Sequence, residues 1–254
     1  MRSQPLSVVA AMDAEIRPLI KKMTIDLVLH QRTCRILSGH IDKREVILVR
    51  SGIGARAMHD AIRLLFQYFN PAFVLHVGIC GATDPQLLVG DMVLSRKIVD
   101  VQSEKSIGTD AALLQKSVEL CQRSGLRYQE GDIAAIDYFL RDAHEKTFIG
   151  TRANAIAIDM ESFAFAEAMA ERKIPHLVAR SVFDPLDMQA PDMTRCINAD
   201  GNVNIFALLR WMVTRPQDVV QLPKMHYCMS KSSDALFQFA MGWMGDRLWE
   251  DGKR

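Results

Sequence analysis

Net charge is nearly absent from this chain: its 254 residues carry 31 Lys plus Arg against 30 Asp plus Glu, a formal balance of +1. No block of Lys or Arg forms the basic face that a nucleic acid duplex requires, so no nucleic acid partner is expected. Long apolar runs are missing as well. No stretch of about 18 consecutive apolar residues occurs, which leaves no candidate transmembrane segment. The apolar run before Asp13 is too short for the core of a secretory signal. The five cysteines (Cys34, Cys80, Cys121, Cys196, Cys228) are odd in number and widely spaced, without a CxxC pair. They read as reduced thiols of a cytoplasmic protein. None of the seven histidines falls in HxxxH or HExxH spacing, so no metal is expected. GxGxxG and GxxxxGK[ST] are absent, which removes the dinucleotide and P-loop readings.

What is there is an ordinary globular balance, 49% hydrophobic and 24% charged residues, enough for a large core. Apolar runs of strand length alternate with helical patterns, the sign of an α/β protein. Leu6 to Ala11 reads as a buried strand ending in a polar loop, Met12 to Glu15. Cys34 to Gly39 and Glu45 to Arg50 read as a hairpin with a longer loop. Ser51 to Gly54 opens a helix with apolar positions at Ala57, Ala61, Leu64, Leu65 and Tyr68. Phe73 to Val77 is a strand followed by the turn-like Gly78 to Ala82, and Gly90 to Leu94 is another strand. A helix over 111–124, strands near 132–136 and 155–158, a helix over 161–171 and a last strand over 174–182 complete the body. From Asp184 to Asn204 the composition is that of a long loop. Helices are predicted over 205–213, 216–225 and 232–249. The reading is one domain over 1–254, with a core of about 5–190 and a helical extension of about 195–250.

In open α/β sheets, sites lie at the carboxyl ends of strands. Here those ends carry Asp13 and Glu15, Ser51-Gly-Ile-Gly54, Gly78-Ile-Cys-Gly81 and Asp184, with Asp159-Met160-Glu161 at a strand-to-helix junction. Carboxylates in differing environments can divide acid and base roles. Each has an ordinary reading beside that one. Asp159 alone reads as a helix N-cap, the glycine pairs as tight turns, His76 as a hydrogen-bonded core histidine, and Arg50 and Arg56 as surface charge rather than an anion site.

Taken together, the segments AAMDAEIRPL (10–19), RSGIGARA (50–57), VGICGATDPQLLVGDMVLS (77–95), IDYFL (136–140), IDMESFAFA (158–166) and RSVFDP (180–185) resemble the nucleoside phosphorylase/nucleosidase superfamily. They look most like its methylthioadenosine/S-adenosylhomocysteine nucleosidase branch. The tail, Asn198 to Met225, is similar to the C-terminal part of the hopanoid-biosynthesis-associated nucleosidases, which act on adenosylhopane. The resemblance implies a three-layer α/β/α sandwich with a mixed central sheet, and a cofactor-free purine nucleosidase releasing adenine from a 5′-substituted adenosine. Asp184 would be the acid that protonates the departing purine, and Glu15 the carboxylate that activates water. Glu161 would hold the ribose hydroxyls and Met160 would pack under the sugar. Phe139 would stack on the adenine, with backbone around Leu140 reading its edge. Ile79, Gly81, Ser51 and Gly54 complete the expected substrate-binding set, and a homodimer is expected.

The chain departs from the family pattern at three places. Ile79 stands where Ser is common in the hydrolase branch, Asp159 replaces a commoner Glu, and Phe183 precedes Asp184 where Ser is usual. The phosphate-binding Arg and Ser of the phosphorylases have no counterparts at His76 and Ile79, which favours water over phosphate as nucleophile. The inferred substrate is adenosylhopane, a lipid-linked adenosine that would bring peripheral contact with the inner membrane face. Methylthioadenosine/S-adenosylhomocysteine hydrolysis, phosphorolysis and a non-catalytic nucleoside- or lipid-binding relative are the alternatives. The last helix carries Phe237, Met241, Met244, Leu248 and Trp249 near helical spacing, with Phe239 and Trp243 off that stripe; the expected role is core or dimer face, with an apolar lip that admits a lipid substrate as the alternative.

Overall fold

The computed structural model describes residues 5–188, 196, 198 and 204–245; Leu248, Trp249 and most of the predicted loop 184–204 lie outside the described residues. The elements, in order, are β1 (Leu6–Ala10), α1 (Asp13–Lys22), β2 (Thr24–Gln31), β3 (Cys34–Ile41), β4 (Arg44–Arg50), α2 (Ala55–Tyr68), β5 (Val74–Ala82), β6 (Met92–Asp100), β7 (Ser106–Gly108), α3 (Ala111–Ser124), β8 (Tyr128–Ala135), α4 (Ala143–Ala153), β9 (Ala157–Asp159), α5 (Ser162–Arg172), β10 (His176–Asp184), α6 (Ile205–Thr214), α7 (Pro216–Val219) and α8 (Leu222–Gly245).

All ten strands form one mixed sheet. Its path runs β10-β6-β8-β9-β5-β1-β4-β3-β2, with β7 beside β6. A further pairing joins β10 back to β5, so five strands close a circuit, with the β1-β4-β3-β2 wing and β7 outside it. β1, β5 and β10 run parallel, and β1 and β10 are buried along their whole length, as strands covered on both faces are. Helices cover both faces. Ile16 and Leu19 of α1, Leu113 and Leu120 of α3 and Leu236, Phe239 and Trp243 of α8 share one core. Met58, Ile62 and Leu65 of α2 and Phe165 and Met169 of α5 share the other.

The structure corrects four readings. Met12 to Glu15 is not a loop: α1 begins at Asp13. The hairpin turn is tight, with Asp42 at φ 54°, and not the longer loop expected. Gly78 to Ala82 is not a turn but the continuation of β5. The two helices predicted over 216–225 and 232–249 are instead a short α7 and one long α8. Its Ser232 and Ser233, where the second of these helices was expected to begin, are buried hydroxyls bonded to the Val182 and Ala14 carbonyls. β2 and α4 were not anticipated. β2 is an edge strand exposed on nearly every residue, so it lacks a buried face to betray it.

Candidate active site

Glu15 sits in the first turn of α1, just past the end of β1. Its Oε2 accepts the amides of Ala11 and Met12 at 2.9 and 2.8 Å, and its Oε1 accepts the Ile79 amide of β5 at 2.9 Å. Three N–H donors favour the ionised form. Burial opposes them and raises the carboxyl above its usual range, with the Arg180 charge and the three amides pulling the other way. Gly78 makes the arrangement possible: a Cβ there would lie 2.1 Å from Arg180 Nη1 and 2.8 Å from Glu15 Oε1. The glycine is a close-approach position rather than a turn.

Arg180 on β10 is fully buried and ties the neighbouring acids together. It forms an ion pair with Asp159, donates to Ser162 Oγ at 2.9 Å and lies 3.1 Å from the ring nitrogens of His76. His76 is a core histidine as expected, packed on Phe165 with ring centroids 4.6 Å apart; burial and the Arg180 charge hold its pKa well below the usual value. Asp159 is not the N-cap of α5, which is Glu161; from the end of β9 it accepts the Ser162 amide at 3.2 Å and is the counterion of Arg180. Two residues on, Glu161 accepts the Gly54 amide at 2.8 Å. Burial, followed by the charge of Asp159, pushes its carboxyl up to about 7.

Asp184 ends β10. The strand bulges between Val182 and Asp184, which restores register opposite Gly81 of β5. Gly81 and Ile79, the residue that binds Glu15, are two positions apart on β5, a rise of about 7 Å. Asp184 Oδ2 forms a 2.7 Å ion pair with Lys146 of α4, while Oδ1 is buried with no hydrogen-bond partner among the described residues. Burial raises the carboxyl to about 6 against the lowering effect of the lysine. Lys146 was missed from the sequence. The buried face of α4 is Lys146, Ile149 and Gly150, of which only Ile149 is a large apolar residue, so no apolar stripe marks the helix.

The remaining expected residues divide. Gly54, at φ 91°, is the N-cap of α2 and meets Glu161. Ile79 meets Glu15 through its backbone. Gly81 packs against Ile158, where a Cβ would lie 3.1 Å from the nearest side-chain atom. Ser51 is fully buried with its hydroxyl bonded to the Gly52 and Ala10 carbonyls, a structural arrangement. Met160 is half-buried beside Glu161, Phe139 is exposed and Leu140 is buried; Leu140 packs with Ile149 and Ile158, and nothing in the structure brings Phe139 into the carboxylate network. Arg50 corrects its surface reading: it is buried and faces Asp13 at 3.8 Å, with Arg35 on the same carboxylate at 2.6 Å. Arg56 is exposed as expected. Among the described residues no group of His, Cys, Asp and Glu could hold a metal ion, and no helix is long and apolar enough to cross a membrane.

Comparisons with known proteins fit this geometry. A 5′-methylthioadenosine/S-adenosylhomocysteine nucleosidase from Staphylococcus epidermidis is 27% identical over 195 residues, 70% of this chain and 86% of the relative. One from Tolumonas auensis is 28% identical over 203 residues, covering 73% and 88%. The solved 5′-methylthioadenosine/S-adenosylhomocysteine nucleosidase from Colwellia psychrerythraea in complex with adenine superposes with a TM-score of 0.75 at 18% identity, over 96% of both chains. The futalosine hydrolase of Helicobacter pylori superposes with a TM-score of 0.70 at 20% identity, over 94% and 98%. A sequence model of the phosphorylase superfamily matches residues 5–205, and the chain belongs to that superfamily.

Proposed function

We propose that this member of the phosphorylase superfamily is a purine nucleosidase that hydrolyses the N-glycosidic bond of a 5′-substituted adenosine and releases adenine. The observation that carries the reading is the pair of unlike carboxylates hung on one strand, Glu15 at Ile79 and Asp184 at Gly81. Breaking this bond needs a proton on the departing purine and a nucleophile for an oxocarbenium-like sugar. Asp184, raised to about 6 and carrying one unpartnered oxygen, supplies the proton. Glu15 takes a proton from the attacking water, and its raised pKa makes it the stronger base. Glu161 accepts hydrogen bonds from the ribose hydroxyls, Met160 lies against the sugar and Phe139 stacks on the base.

Water rather than phosphate suits the electrostatics. The amide at the N-terminus of α2, a natural anion position, already donates to Glu161, and Arg50 and Arg35 already face Asp13. A phosphate dianion would enter beside the carboxylates of Glu15 and Glu161, whose charges oppose it.

For the 5′ substituent we propose the hopane of adenosylhopane. Supporting it, Phe206, Val213 and Val220 of the extension are 86%, 82% and 80% exposed, an apolar surface suited to a lipid. The stripe on the last helix does not supply it: Met244, Phe239 and Trp243 are buried in the core, with Phe237 and Met241 packed against it. We further propose a homodimer, supported by the exposed aromatics Tyr138 and Phe148 on and beside α4; a monomeric mass in analytical ultracentrifugation rejects that. Adenine release is measured with adenosylhopane, methylthioadenosine and S-adenosylhomocysteine, with and without phosphate. Turnover of adenosylhopane well above the other two supports the full reading. Turnover of the sulfur nucleosides alone removes the hopane, phosphate dependence removes hydrolysis, and no adenine from any of them removes the nucleosidase.

A further inference from the structure

Lys146 is a fully buried cation to which the reaction above assigns no role. An ammonium in such a place costs several kcal/mol unless it is paired and hydrogen-bonded. Its three donors have three acceptors: Asp184 Oδ2 at 2.7 Å and the carbonyls of Pro185 and Met188, each at 3.3 Å. All three belong to the end of β10 and the residues just after it, the two carbonyls 39 and 42 positions away in sequence. The lysine is thus a fixed point on α4 to which the carboxyl and its following segment are pinned, and the pinning is one-sided. Oδ2 is occupied by a group that can only donate, and Oδ1 is left open.

We propose that Lys146 is the positioning residue of the general acid: by holding Oδ2 it confines the transferable proton to Oδ1 and fixes the direction in which that proton is presented. This rests on the reading of Asp184 as the acid. A further consequence is that Lys146 tunes the acid. Burial drives the Asp184 carboxyl up, and the Lys146 charge, its largest opposing influence, brings it back to about 6. The other charges around it are Asp187 in the following segment and Lys224 of α8, and the thiols of Cys228 on α8 and Cys80 on β5 also sense its charge.

Lys146→Met keeps most of the stem and removes the charge, whereas Lys146→Arg keeps the charge. The Asp184 carboxyl is titrated by ¹³C NMR in free protein labelled at aspartate, and kcat/KM for adenine release is followed against pH. In Lys146→Met the titration midpoint is expected to rise by roughly one to three pH units. The alkaline limb of the rate profile should rise with it, and kcat should fall by about 100-fold through loss of orientation. Lys146→Arg should keep the wild-type midpoint, and ethylammonium should restore part of the activity of Lys146→Ala. An unmoved midpoint in Lys146→Met overturns the proposal, as does lost activity with an unmoved alkaline limb. Should Lys146→Met not fold, saturable amine rescue of Lys146→Ala supports the role, and its failure in a protein with wild-type circular dichroism overturns it. If the wild type releases no adenine, the nucleosidase reading fails, while the NMR titration still decides whether Lys146 governs the Asp184 carboxyl.

Discussion

The two carboxylates that meet β5, from α1 and from β10, are built in opposite ways. Glu15 is saturated, with both oxygens held by main-chain amides, whereas Asp184 has one oxygen on a lysine and one without a partner among the described residues. Burial raises both. What separates them is the partners: amide donors hold a carboxylate as an acceptor, and an unpartnered buried oxygen is a place for a proton to reside. Two neighbouring acids can therefore be assigned base and acid from their hydrogen bonds, without ranking the sizes of two shifts.

The most direct way to break the comparison is to neutralise each side in turn. Asp184→Asn cannot deliver a proton to the purine and should lower kcat for adenine release by about 10²–10⁴-fold; wild-type kcat would mean that the acid lies elsewhere. Glu15→Gln keeps an oxygen for some of the amides but cannot take a proton from water. We expect a loss of about 10²–10³-fold, at the lower end of that range because bond cleavage still proceeds with the purine protonated. If Glu15→Gln is the more damaged of the two, nucleophile activation and not base departure governs the rate, and the emphasis on Asp184 is reversed.

The contrast also has a pH signature. A general acid must be protonated, so kcat/KM of the free protein should fall as pH rises through about 6, the value for Asp184, losing about tenfold per pH unit beyond it. A base must be ionised, so kcat/KM should also fall toward acid pH as Glu15, raised above the ordinary carboxylate range, takes up its proton. A profile flat from pH 5 to 8 would separate the rate from Asp184.

The strands and the acids were legible from sequence for the same reason: both are extreme local signals. Leu6 to Ala11, apolar but for Ser7, leads straight into Asp13 and Glu15, and α3 matched to the residue because Asp110 caps its start and Gly125, at φ 66°, its end. What stayed hidden depends on partners far away in the chain. Arg180 was read only as part of a motif, although Asp159, Ser162 and His76 converge on it. Lys146 was not singled out, lying on a helix with no apolar stripe and with its partner at the end of another element. Ser232, where a last helix was expected to begin, is a buried hydroxyl within one long helix, bonded to Val182. Composition reports what a residue is, while burial of a polar group reports what the rest of the fold provides for it.

The smallest expected effect concerns stability and tests whether these buried acids work against the fold. Glu161 is raised to about 7 from an ordinary 4.5, chiefly by burial and then by the charge of Asp159. Between those two values the folded state binds more protons than the unfolded state, so stability falls as pH rises through the window. Below it the carboxyl is protonated in both states and the penalty vanishes. Glu161→Gln keeps an acceptor for the Gly54 amide and removes the charge, and Arg180 retains Asp159 as its counterion. The variant should therefore melt roughly 2–4 °C above the wild type at pH 8, and the gap should close by about pH 5, while ribose binding and turnover suffer. Calorimetric melting at the two pH values checks this. An equal gap at both would assign the gain to packing, and a lower melting point at pH 8 would show that the ionised Glu161 supports the fold through Gly54 more than its burial opposes it.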